Sequence, residues 1–133
     1  VKSLFLAGVG AGLIVAAISA NVPARTVTAD RILDGDTAAA GGLRIRLTGY
    51  DAPEIFHPRC PAELALGLRA KARAAVLLHD AQITIVPCAG WNYGRACGTV
   101  PGLAATMIRE GLAIPYDCRN SHCPHTPANA WCH

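Results

Sequence analysis

The sequence predicts a small, mainly β domain with helices, in the order three strands, helix, two strands, helix, followed by a cysteine-rich tail. Three observations carry this reading. Residues 43–50 alternate strictly between apolar and polar side chains, the period of a half-buried strand. Asp34-Gly35 stands between two strand-like segments as a turn dipeptide. One long helical pattern opens at Pro61, and short β-branched segments flank it on both sides. A chain of 133 residues has room for one domain, and 52% hydrophobic against 16% charged residues excludes a disordered, collagenous or coiled-coil chain.

The first 24 residues read as an address. Lys2 supplies a positive charge, residues 4–18 are apolar or small without a charge, and Ala20 and Ala24 can each precede a cleavage point. The run is shorter than the ~20 residues of a spanning helix, so a cleaved signal peptide is expected over an uncleaved N-terminal membrane anchor. The protein is therefore expected to be exported, periplasmic or secreted. In that setting Cys60, Cys88, Cys97, Cys118, Cys123 and Cys132 are read as disulfide-forming, with Cys88 and Cys97, which flank one predicted hairpin, as the preferred pair. Cys118, His122, Cys123, His125, Cys132 and His133 are also zinc-ligand types, but their spacing matches no two-pair zinc pattern well.

A domain is expected over 25–114 and the Cys/His-rich tail over 115–133. Residues 25–33 form a strand with Val27, Ala29 and Ile32 among polar neighbours, and Asp34-Gly35 turns it into a second strand at 37–40. The third strand, 43–50, puts Leu43, Ile45 and Leu47 on one face and Arg44, Arg46 and Thr48 on the other. Pro53 ends it. Cys60-Pro61-Ala62-Glu63 starts a helix to about His79, with proline at its first position and glutamate in its first turn. Leu64, Leu68, Ala72, Ala75 and Val76 are expected to form its buried face. Strands follow at 82–86 and 95–100, then a helix at 103–110 stopped by Gly111 in the left-handed cap position. From Pro115 onward no periodicity is visible, and a stapled surface tail is expected.

The chemistry concentrates early. Asp30, Asp34, Asp36, Asp51 and Glu54 are five of the nine acidic residues, within a chain of net charge +3. Crowded carboxylates cost energy unless compensated, and a hard divalent cation compensates them with oxygen ligands at strand ends. Asp34 and Asp36 could instead serve turn geometry alone. Two separated arginines, Arg46 and Arg95, change the balance. A metal on the acids polarises a phosphoryl oxygen while guanidinium forks hold the other oxygens.

These residues resemble the staphylococcal nuclease (thermonuclease) family. Asp34-Gly35-Asp36-Thr37, Arg46-Leu47, Asp51-Ala52-Pro53-Glu54, Glu63 with Gly67 and Ala70, Tyr93-Gly94-Arg95 and Gly111-Leu112-Ala113 follow its pattern in order. The resemblance implies a five-stranded OB-fold barrel with a helix between the third and fourth strands. It also implies calcium-dependent hydrolysis of DNA and RNA to products ending in a 3'-phosphate, and single strands are the expected preference because they bring the phosphate into the site with less duplex distortion. Carried over, Asp36, Asp51 and the backbone carbonyl of Ala52 would hold Ca2+. Glu54 would orient or deprotonate water, and Arg46 and Arg95 would hold the scissile phosphate. Tyr93 and Tyr116 are candidate substrate contacts, by hydrogen bond or by stacking.

The chain departs from the family where Ala52 replaces a threonine, where Trp91-Asn92 replace an acidic and a basic residue, and where the tail replaces a C-terminal helix. A monomer without a stable membrane partner is the expectation if the leader is cleaved. The competing readings are a non-catalytic nucleic-acid-binding module on the same fold and a zinc-binding interaction protein organised by the tail.

Overall fold

The alternating segment forms an interior strand of a six-stranded sheet in the computed structural model, which describes Ile14 and residues 22–89, 94–118 and 122–133. In chain order the elements are β1 (Thr26–Val27), β2 (Arg31–Asp34), β3 (Thr37–Ala40), β4 (Leu43–Leu47), β5 (Gly49–Asp51), α1 (Pro61–Leu77), β6 (Ile83–Val86), β7 (Ala96–Thr99), α2 (Leu103–Arg109) and β8 (Ile114–Tyr116). The sheet runs β1-β6-β7-β4-β3-β2 and curls into a half-barrel, while β5 and β8 make a separate two-stranded ladder. The result is a sheet-dominated α+β fold with two helices among the described residues. Most of the expected signal peptide lies outside the described residues. No helix among the described residues is long and apolar enough to cross a membrane.

Three expected elements are corrected. The strand expected over 25–33 is two, because the chain bends at Asp30, whose N–H donates to the Ala39 carbonyl at 2.7 Å and whose Oδ2 accepts the Gly41 N–H at 2.7 Å. β1 then pairs with β6 and β2 with β3, at opposite edges of the sheet. The strand expected over 43–50 also breaks. Gly49 has φ +95°, a conformation that glycine adopts without a Cβ penalty, and there the chain leaves β4 for β5. The tail contributes β8, which pairs antiparallel with β5 across the expected boundary between 114 and 115. Pro115 hides this strand from a periodicity reading, since proline is tolerated in a strand only where its missing N–H costs no ladder bond.

The helix is present but turned. Its buried positions are Glu63, Gly67, Ala70 and Ala74. Of the expected face, Leu68 is 52% and Val76 65% exposed. Steric access decides this outcome. A Cβ on Gly67 would lie 2.5 Å from Ile55 Cγ2 and 2.8 Å from the Pro53 carbonyl oxygen, so at Gly67 α1 meets the 53–55 segment at a distance that admits no side chain. Ala38, Ile45, Leu47 and Ile83 of the sheet, Ala70 and Ala74 of α1, and Leu103 and Met107 of α2 complete the core. Gly111 closes α2 as expected, with φ +72°.

Disulfides join Cys60 to Cys132, Cys88 to Cys97 and Cys118 to Cys123, and none of the six cysteines is free. The Cys88–Cys97 pair bridges the β6–β7 hairpin as expected. With every thiol paired, the tail cysteines are not available as zinc thiolates, and the bonding pattern fits an oxidising compartment.

Two outcomes follow. Gly67→Ala, normally a gain of about 1 kcal/mol in a helix interior, should here lower stability by about 1–2 kcal/mol in urea denaturation, because overpacking outweighs propensity. A stabilised variant would mean that α1 does not press on the 53–55 segment. Opening the Cys60–Cys132 cross-link by a double serine substitution should cost about 4 kcal/mol and opening Cys88–Cys97 about 2.5 kcal/mol, since the sequence separations are 72 and 9. The reverse order of melting temperatures would contradict this loop-closure account.

Candidate active site

The β3–β4 register pairs Thr37 with Arg46, so Asp36, one residue earlier, stands beside the arginine as the ladder ends. The Leu47 N–H donating to the Asp36 carbonyl at 2.8 Å fixes that end. The break at Gly49 then folds Asp51 back toward the same guanidinium. Arg46 Nη1 lies 3.0 Å from Asp36 Oδ1, and Nη2 lies 3.0 Å from Asp51 Oδ1 while donating to the Tyr50 carbonyl at 3.0 Å. Its guanidinium carbon is 5.4 Å from the centre of the Tyr116 ring, brought there by the pairing of Gly49 with Tyr116. One side chain thus ties β4 to the 34–36 turn, to β5 and to β8.

Asp36 is only 4% exposed. Its Oδ1 also accepts the Thr37 hydroxyl at 3.2 Å, and its Oδ2 accepts the Ala52 N–H at 2.8 Å. Burial pushes the Asp36 carboxyl up. Arg46 opposes this, the negative charge of Asp34 adds to it, the Ala52 N–H opposes it and Asp51 adds to it. Arg46 is itself held above the ordinary arginine value: burial acts to lower it, and Asp36 and Asp51 override burial. Tyr50, fully buried beneath, donates its hydroxyl to the Gly35 carbonyl at 2.8 Å and so pins the turn that carries Asp36.

A cavity of about 550 Å³ opens in front of this cluster. Arg46, Asp51, Arg95 and Tyr116 line it, with Arg59 and His125. Burial lowers the Arg95 guanidinium, and the charge of Arg46 lowers it further. Two cations that disfavour each other across one cavity form a place where an anion is stabilised, and guanidinium forks match phosphate oxygens.

The structure therefore brings Asp36, Arg46, Asp51, Arg95 and Tyr116 together, with Ala52 touching Asp36 through its N–H. Glu54 is placed differently. Its Oε1 accepts the Phe56 N–H at 2.8 Å, and it is not among the residues lining the cavity. Tyr93 lies outside the described residues, as do Trp91 and Asn92. Among the described residues no group of three or more His, Cys, Asp or Glu side chains is arranged for a metal ion. Asp36 and Asp51 provide oxygen donors on one guanidinium, a set that suits a hard cation once backbone oxygen is added.

Two supports were not identified in the sequence. Glu63, 2% exposed, accepts the Glu54 N–H at 3.3 Å on Oε1 and the Arg59 N–H at 2.8 Å on Oε2, holding the segment between the site and α1. Its position three residues after the helix cap was visible, but its partners outside the helix were not. Thr126 of the tail donates its hydroxyl to Asp51 Oδ2 at 2.5 Å across 75 residues, and nothing in the local pattern signals it.

No family model matches the chain, and no curated protein is significantly similar to it.

Arg46→Met should cost about 3 kcal/mol in urea denaturation, because it strips Asp36 and Asp51 of their shared counter-charge. Arg46→Lys should recover part of that loss, keeping the charge and losing the fork. A cost near zero for Arg46→Met would show that the ion pairs do not hold the turn.

Proposed function

We propose that the protein is an exported, calcium-dependent nuclease of the staphylococcal nuclease type, built on an OB-fold barrel and hydrolysing DNA and RNA with little sequence specificity. The observation that carries this reading is Arg46 held between Asp36 and Asp51 at the edge of a cavity that also presents Arg95. The curled sheet and the helix between β5 and β6 support the barrel. The three disulfides support export.

Calcium, held by Asp36, Asp51 and the Ala52 carbonyl, would supply Lewis-acid polarisation of a phosphoryl oxygen and of a water. The remaining work belongs to the chain. Arg46 exchanges its carboxylate partners for phosphate oxygens, and Arg95 approaches the same phosphate from across the cavity. Their donors are most valuable where negative charge grows at the pentacoordinate phosphorus. Glu54 orients or deprotonates the water after its carboxylate leaves the Phe56 N–H. Tyr116 offers a ring face for a base of an unpaired strand, which reaches the cavity without duplex distortion.

A second reading is a nucleic-acid-binding module on the same fold, and the Glu54 carboxylate turned to Phe56 favours it. Cleavage of a fluorescently labelled single-stranded DNA by the oxidised protein separates the two. Calcium-dependent cutting abolished by chelator, reduced about 10²-fold or more in Arg95→Ala and lowered by orders of magnitude in Glu54→Gln, is expected. A folded protein that binds the strand without cutting it overturns the nuclease reading, and full activity in Glu54→Gln removes that residue from the mechanism.

A further inference from the structure

Asp51 is the one proposed metal carboxylate that borrows a partner from outside the barrel. Its Oδ1 faces Arg46 at 3.0 Å, and its Oδ2 receives the Thr126 hydroxyl at 2.5 Å. An O–H···O⁻ bond this short lies at the strong end of charge-assisted hydrogen bonds. With both oxygens engaged, the rotation of the Asp51 carboxylate is fixed from two sides. If Arg46 leaves for a phosphate, Thr126 still holds it.

Thr126 is delivered by several independent anchors. Arg59 Nη1 donates to the carbonyls of Pro127 at 3.3 Å and Ala128 at 3.2 Å. Trp131 is 8% exposed, and Cys132 is bonded to Cys60, which caps α1 through an Sγ that accepts the Glu63 N–H at 3.4 Å. Arg59 and Cys60 sit in and after the segment that Glu63 ties to Glu54. The tail, the helix start and the carboxylate thus form one closed loop of contacts. Pro124, His125 and Thr126 line the cavity beside Arg46 and Arg95.

We propose that Thr126 is a positioning residue of the cation and phosphate site: it orients the Asp51 carboxylate, and the Cys60–Cys132 disulfide exists to bring it there. This rests on the calcium reading of Asp36 and Asp51 given above. The segment does what partners behind metal ligands do elsewhere, fixing the geometry of a ligating oxygen, and loss of such a partner typically costs about 10–100-fold in metal affinity or activity.

The test is calcium titration of the oxidised full chain by calorimetry, in wild type, Thr126→Val, Thr126→Ser and the Cys60→Ser/Cys132→Ser double variant. Melting temperatures are read alongside. Thr126→Val keeps the shape and removes the hydroxyl, so calcium affinity should fall about 10-fold with little change in melting temperature. Thr126→Ser should restore it. The double serine variant should weaken calcium as Thr126→Val does, beyond its loss of stability, and adding Thr126→Val to it should change affinity no further. Equal affinities in wild type and Thr126→Val overturn the positioning role while leaving the calcium reading intact. If Thr126→Val loses affinity only in step with melting temperature, or Thr126→Ser fails to rescue, the role is structural and the proposal fails. No calcium binding by the folded wild type overturns the metal reading and this inference with it.

Discussion

Everything near the cavity depends on burying the Asp36 carboxylate. A carboxylate removed from water is costly, and here it is held by a guanidinium fork, a hydroxyl and a backbone N–H. Each partner belongs to a different stretch of chain, so meeting the need of one acid fixes β4, the Thr37 end of β3 and the start of the 52–54 segment. The backbone breaks at Gly49, where β5 departs, and that departure brings Asp51 to the other arm of the fork. The arrangement leaves one arginine serving two acids, and a second arginine in the same cavity with its charge disfavoured by the first.

The legible part of the fold is the part set by local rules. Alternation at 43–47, the Asp34-Gly35 turn, the proline-led helix start and the glycine stop after α2 all appear where residue type alone places them. Misreadings arise where distant chain decides. α1 shows the wrong face to a pattern search because Leu68 and Val76 are apolar yet exposed, whereas its buried positions are Glu63 and the small residues Gly67, Ala70 and Ala74. β5 looks continuous with β4 until Gly49 adopts a positive φ, and β8 is masked by Pro115.

The candidate site divides along the same line. Asp36, Arg46 and Asp51 could be gathered from the sequence because they lie close together along the chain as crowded acids beside an arginine, and the β3–β4 pairing sets Arg46 beside Asp36. Arg95 joins them through the parallel β4–β7 ladder, in which Ile45 pairs with Ala96. Glu54 is close in sequence and its side chain is turned elsewhere, because Phe56 offers a nearer N–H. Thr126 is far in sequence and arrives by way of a disulfide and two carbonyl contacts, none of which has a periodicity. Closeness along the chain was a fair guide within the sheet and a poor one in the loops.

The bond between Cys60 and Cys132 also makes the greater part of the chain a covalent ring. A protease that cuts once anywhere between those residues opens the ring without releasing a piece, and both new ends stay tethered within the same molecule. Damage that would split an open chain leaves a nick within one covalently joined molecule. For a small protein in an oxidising compartment, the cross-link thus keeps a single cut between those residues from releasing a fragment.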